Sequence, residues 1–353
     1  MTNWKLSIAV GGALLLFSAA SAPAQAAPAQ TDSPAWSAST NTSGCPSSMR
    51  LLTPNRSADY FAAHPDELLA SHHPDGVAAP LHQQLAKLAG HHIHYLTAVT
   101  CKPGHQRGPA TPIKASATAA TSANWSGYQS SSRGNFIGAF MAWNVPSVST
   151  AANSSAYSSV WPGIGQGYSA ADSLVQDGTE QDVSCVLSVC THDYYPWYEV
   201  VPEEAQQEIT NLTVSAGDAI ESFIEYEPPD GLAYFEVDNI TTNTGVYGYE
   251  YTTTAFTGTG STAEWIVERT QVNGKYPALA NFGSVPVTVA IAAQGSSWED
   301  TNLSYPGAAD NSPSAISMTS CSGSATLARP GAIAADGTDF TVTFVQRGSS
   351  ETC

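Results

Sequence analysis

From Asn124 onward the chain carries short runs rich in Tyr, Trp, Val, Ile and Thr, cut by Gly, Pro, Asn and Asp. Alternation of apolar and polar positions over such lengths is the pattern of half-buried strands. The runs are Asn135–Val145, Tyr157–Trp161, Ser173–Glu180, Tyr194–Val201, Ala219–Glu227, Leu232–Val237, Val246–Thr253, Ala263–Thr270, Val285–Ala292 and Asp339–Gln346. Asn243-Thr244-Gly245 lies between two of them and suits a hairpin loop. About ten strands, with no helical periodicity of useful length, predict one all-β sandwich or jelly roll. Ahead of this region the period changes. Ala58, Tyr60, Phe61, Leu68, Leu69, Leu81, Leu85 and Leu88 recur at helical spacing, interrupted by Pro65 and Pro74, which predicts a small helical unit over 50–95. Residues 27–48, rich in Ala, Pro, Ser and Thr, read as disordered, and Gly104–Ser122 reads as an exposed linker open to proteases.

The first residues read as a targeting segment. Lys5 supplies the charged start, Leu6–Ala20 the apolar core and Ala24-Gln25-Ala26 a small-residue cleavage site. The apolar stretch is too short and too interrupted for a membrane span. The expected organisation is a signal peptide over 1–26, a propeptide over 27–120 and a β-sandwich with a C-terminal extension over 121–353, in a secreted, extracellular protein.

Charge separates the same two halves. Residues 1–115 hold seven of the twelve Lys and Arg and five of the thirty Asp and Glu, so five basic and 25 acidic groups remain in 116–353. Such an acidic domain repels nucleic acid and anionic membrane, which excludes both as expected partners. It also repels itself at neutral pH, a strain relieved as carboxylates protonate. Six cysteines in an exported chain point to disulfides. Fifteen pairings are possible, and proximity along the chain favours Cys45–Cys101, Cys185–Cys190 and Cys321–Cys353. Eight of the nine histidines, His64, His72, His73, His82, His91, His92, His94 and His105, precede the β region. His91-His92-x-His94 invites metal, but a pH-sensing prosegment is favoured, because imidazole titrates between pH 5 and 8. A solvated helix is the third reading.

The candidate chemistry lies on two strands. In Ala263–Arg269, Ala263, Trp265, Val267 and Arg269 share one face, whereas Glu264, Ile266 and Glu268 share the other. In Ser173–Glu180, Leu174, Gln176, Gly178 and Glu180 share a face. An amide and a carboxylate therefore oppose each other if the two faces meet, although alternation does not say whether they do.

Glu264-Trp265-Ile266-Val267-Glu268 resembles the A-E-W-I-V-E segment of the glutamic peptidases, the eqolisin family, and Val175-Gln176-Asp177-Gly178-Thr179 resembles that family's Q-x-G segment. Further similar segments follow the family's order: Asn124-Trp125-Ser126-Gly127, Trp143–Val148, Trp161-Pro162-Gly163-Ile164, Trp197-Tyr198-Glu199 and Asn281–Val285. The resemblance implies a secreted acid endopeptidase made as a proprotein, on a concanavalin-like sandwich of two seven-stranded antiparallel sheets. It implies a dyad of Glu268 and Gln176, groove positions for Trp125 and Trp161, and no metal or cofactor. Glu180, Glu199 and Glu264 are expected as substrate-side or electrostatic support. Gly165 stands where many members carry an acidic residue, which bears on subsite preference.

The residue types suit that reaction. A carboxylate can move a proton to and from water, and a neutral amide offers N–H donors to an oxyanion together with a carbonyl to hold the water. The expected partners are protein or peptide substrates and, before activation, the chain's own propeptide; a monomer is expected. Two other classes fit a β-sandwich: a carbohydrate-binding module using Trp and Tyr, and a glycoside hydrolase using Glu264 and Glu268 as paired carboxylates.

Overall fold

A strand with one apolar face is stable in water only when a second layer covers that face. The computed structural model describes residues 36–54, 93–105, 114–116, 119–131, 135–165, 173–187, 189–227, 231–253, 256–295, 307–309 and 313–353. The described residues meet this requirement with strands β1 (Trp125–Ser131), β2 (Phe136–Asn144), β3 (Ser154–Gly165), β4 (Leu174–Val186), β5 (Val189–Val201), β6 (Gln207–Ile209), β7 (Ala219–Glu227), β8 (Leu232–Asn239), β9 (Thr244–Tyr251), β10 (Thr262–Glu268), β11 (Ser284–Gln294), β12 (Ser314–Thr319), β13 (Thr326–Pro330) and β14 (Phe340–Phe344).

One layer runs β12-β1-β10-β3-β4-β5-β6, all antiparallel. The other runs β13-β14-β11-β2-β7-β8-β9, also antiparallel. Pairing of β12 with β13 joins the layers along one edge. The molecule is thus an all-β sandwich of two antiparallel sheets, as expected. Among the described residues no helix is long and apolar enough to cross a membrane.

Ala263, Trp265 and Val267 fall between the layers with Val160, Val175, Ile224 and Phe235. The Trp265 indole donates to the Phe140 carbonyl of the facing layer at 2.9 Å, and Tyr198 stacks on Phe235 with ring centroids 4.0 Å apart. Asp177 is also buried here, accepting from the Ser222 hydroxyl and from the Glu236 amide at 2.9 Å. Burial drives its pKa well above the ordinary carboxylate range.

Residues Pro34–Cys353 form one compact unit, in which the segment before residue 120 packs on the sandwich. Val99–Pro103 pairs with the edge strand β6, and Arg50–Pro54 and His94–Tyr95 pair with the edge strand β9. An open sheet edge offers unpaired N–H and C=O groups, and the N-terminal segment satisfies them. The stretch expected to be disordered consequently contains the strands Trp36–Ser39 and Thr42–Ser43. The expected linker likewise ends in Ala119–Ser122, which pairs parallel with β12. Most of the expected helical unit lies outside the described residues, and its described ends are strands. The three disulfides join the cysteine pairs suggested by proximity.

Candidate active site

The outer face of the first layer carries a second apolar cluster, built from Trp125, Trp161, Leu174, Tyr195, Trp197, Ile266 and Ile316. Strand alternation puts Gln176 and the three glutamates of β4 and β10 on this face, away from the inter-sheet core. Register then sorts them into rows.

In one row, Glu199 of β5 pairs with Gln176 of β4, Gln176 with Gly163 of β3, Gly163 with Glu264 of β10, and Glu264 with Gln129 of β1. Gln176 and Glu264 are two strands apart, about 10 Å between backbones at ordinary strand spacing. The residue between them is Gly163, over which Leu174 and the Trp161 ring close in: an added Cβ would meet each at 3.0 Å.

A second row, four residues along, joins Tyr195, Glu180, Ser159, Glu268 and Trp125. Four residues of strand measure about 13 Å. Between the rows lies Trp161, opposite Ile266. Gly178 makes room for it, since a Cβ on Gly178 would stand 2.8 Å from the Trp161 Cβ and 2.1 Å from the Val160 carbonyl oxygen.

Hydrogen bonding differs between the two glutamates of β10. Glu268 accepts from the Trp161 indole at 2.7 Å and from the Asn124 side-chain amide at 3.1 Å, one donor on each oxygen. Glu264 accepts from the Gln129 amide at 2.7 Å on Oε1, and its Oε2 has no hydrogen-bond partner among the described residues. Gln176 donates through Nε2 to Glu199 at 2.6 Å, and its buried Oε1 is likewise without a partner. Gln176 is 3% exposed and Glu264 1%. Burial raises the Glu264 carboxyl to about 7, with the Thr262 and Gln129 side chains opposing the rise.

The expected groove aromatics Trp125 and Trp161 pack edge to face with centroids 5.1 Å apart. Glu180 accepts from the Thr270 hydroxyl and from the Gln206 amide, the latter at 3.2 Å. All seven residues singled out from sequence therefore share one face, but the register aligns Gln176 with Glu264 and Glu199, and Glu268 with Glu180. Gln129, Gly163 and Asn124 enter the site without having been assigned roles. Gln129 was findable: Trp125, Gly127 and Gln129 alternate onto one face once Trp125–Ser131 is read as a strand.

A model of the peptidase A4 family matches residues 123–338. Aspergillopepsin-2 of Aspergillus niger is 32% identical over 150 residues, covering 39% of this chain and 47% of its own length, so the match spans about half of that curated relative. Among solved structures, scytalido-glutamic peptidase with a peptide-based transition-state analogue is 20% identical over 63% of this chain and 98% of its own, with a TM-score of 0.49. The aspergilloglutamic peptidase of Aspergillus niger is 26% identical over 54% of this chain and 99% of its own, with a TM-score of 0.44.

Proposed function

Because this chain belongs to the peptidase A4 family, we propose that it is a secreted acid endopeptidase whose working pair is Gln176 and Glu264. The observation that carries the pairing is the row Gln176–Gly163–Glu264, in which Gln176 Oε1 and Glu264 Oε2 are buried on either side of a glycine without hydrogen-bond partners among the described residues. This reading departs from the pairing of Gln176 with Glu268 that the family's segments imply. Glu268 is given the task of holding the Trp161 indole and the Asn124 amide, one donor on each oxygen.

The chemistry follows from protonation. A carboxyl raised to about 7 carries its proton at acid pH. Water adds to the scissile carbonyl carbon while the carboxyl gives its proton to the developing oxyanion and takes one from the water, which leaves a gem-diol. The carboxyl then gives its proton to the amide nitrogen, the C–N bond breaks, and a gem-diol hydroxyl returns a proton to Glu264, which ends the turnover as it began. Gln176 Oε1 can hold the water, and the Nε2 hydrogen not directed at Glu199 can donate to the oxyanion. Removing one such donor typically costs on the order of 10²–10³ in rate.

A two-carboxylate glycoside hydrolase fits less well. Glu264 and Glu268 lie about 13 Å apart along one strand, beyond the ~5–9.5 Å that such pairs span. A carbohydrate-binding module would have no need of the raised carboxyl beside the amide. The proprotein reading is supported by the N-terminal strands that pair with β6 and β9. Lys102 contacts Glu208 at 2.9 Å across that docking.

The test is incubation of the full chain at pH 3–4, followed by assay on a denatured protein. Loss of the N-terminal segment should accompany the appearance of peptide products. A chain that stays inert after acid treatment, with or without the segment, contradicts the assignment.

A further inference from the structure

The outer face of β4 carries another polar cluster two residues beyond Glu180, in line with neither working group. His105, just past the Val99–Pro103 strand, meets Glu180 and Asp182 so that one ligand atom from each lies within 4.8 Å of the others. The His105 Nε2 to Asp182 Oδ2 distance is 2.7 Å. The imidazole is held in place from several sides. Tyr157 packs against it edge-on at 5.0 Å and Tyr195 at 6.4 Å. Gln206 accepts the His105 backbone N–H at 3.0 Å and donates to Glu180 at 3.2 Å, so it ties two members of the cluster together.

Two features suit the corner to a cation. Asp182 Oδ1 is buried and has no hydrogen-bond partner among the described residues. Two carboxyl groups and an imidazole also meet in one largely buried corner, where any net negative charge is costly unless a proton or a cation offsets it. The side chains of His105 and Asp182 keep 22% and 15% exposure, enough for a small ion to reach them. An imidazole nitrogen in the donor set disfavours calcium and magnesium and suits zinc-like cations. Tetrahedral zinc with bonds of about 2.0–2.1 Å sets its ligand atoms roughly 3.3 Å apart. The His105–Asp182 contact therefore has to open by only about half an ångström.

We propose that His105, Glu180 and Asp182 form a binding site for a divalent transition cation, with water as the fourth ligand. The cation clamps the end of the Val99–His105 segment onto the first layer. Sequence spacing gave no hint of this site, because His105 lies more than seventy residues from its partners. The proposal does not rest on the peptidase reading, and its test needs no turnover.

The experiment is a calorimetric titration of Zn²⁺ into the intact chain at pH 7, beside His105→Ala and Asp182→Asn. The expected result is one saturable site in the wild type, weakened by at least about tenfold in both variants although the other N-terminal histidines remain. X-ray absorption at the zinc edge, on wild type carrying one equivalent, should give a single imidazole with oxygen ligands; it decides the matter even if a variant fails to fold. Two or more imidazoles would assign the ion to the histidines between His64 and His94 and overturn the proposal. Unchanged binding in both variants overturns it as well. An absence of saturable binding does the same, and leaves the cluster as carboxyls and an imidazole bridged by protons.

Discussion

At the scale of single residues, the account turns on what surrounds two glutamates of one strand. Glu264 and Glu268 have the same side chain and the same facing, yet one has a buried oxygen without a hydrogen-bond partner among the described residues and the other accepts on both oxygens. Alternation in the sequence made the shared face legible and brought Gln176 into consideration. It could not choose between the two carboxylates, because that choice needs the register of three strands, and no local pattern encodes register across β3. Gln129 supplies a way to test the environment of Glu264. Its hydrogen bond lowers the Glu264 pKa against the larger effect of burial. Gln129→Leu should therefore raise that pKa and move the alkaline limb of the pH–rate profile upward, because the protonated carboxyl is the working form. A limb that stays in place or moves down would separate Glu264 from the rate.

At the scale of elements, the strands read correctly were those with clear alternation, such as Leu232–Asn239 and Thr262–Glu268. Trp125–Ser131 and Ser314–Thr319 were missed, because Ser, Gly and Gln occupy positions that neighbouring strands bury. Their polar side chains are stabilised by partners far away in sequence, such as Glu264 for Gln129. The N-terminal strands were missed for a related reason. Their own composition is weak, and the edges of β6 and β9 impose the extended form. Close approach between β3 and β4 gives this scale its prediction. A methyl group on Gly178 would meet the Val160 carbonyl oxygen at 2.1 Å, a backbone atom that cannot swing aside. Gly178→Ala should cost about 1–3 kcal/mol or more, read as a fall of several degrees in Tm by calorimetry. An unchanged Tm would mean that β3 and β4 are not packed as tightly as described.

At the scale of the whole molecule, acidity is a condition of the fold. Burial raises Glu221, Glu236 and Glu264 each to about 7, and Glu204, against Glu250, to about 10. For a carboxyl whose folded pKa exceeds its unfolded value near 4.5, the folded state binds more protons between the two values. Its stabilisation is complete below the unfolded pKa and is lost as pH rises through the folded one. A formal charge of −18 at pH 7 adds repulsion in the same direction. Tm should accordingly be higher at pH 4–5 than at pH 8, and a Tm that climbs with pH would contradict the buried, protonated carboxyls. The acidic composition made this tendency visible in the sequence; which carboxyls carry it depends on burial that only the packed layers determine. The central claim, that Gln176 works with Glu264, is tested most directly by kcat/KM of acid-treated Glu264→Gln beside Glu268→Gln on one peptide substrate. Glu264→Gln should lose at least about 10³ of the rate, whereas Glu268→Gln, which only loosens Trp161, should keep a tenth or more. An inactive Glu268→Gln beside an active Glu264→Gln would contradict the account.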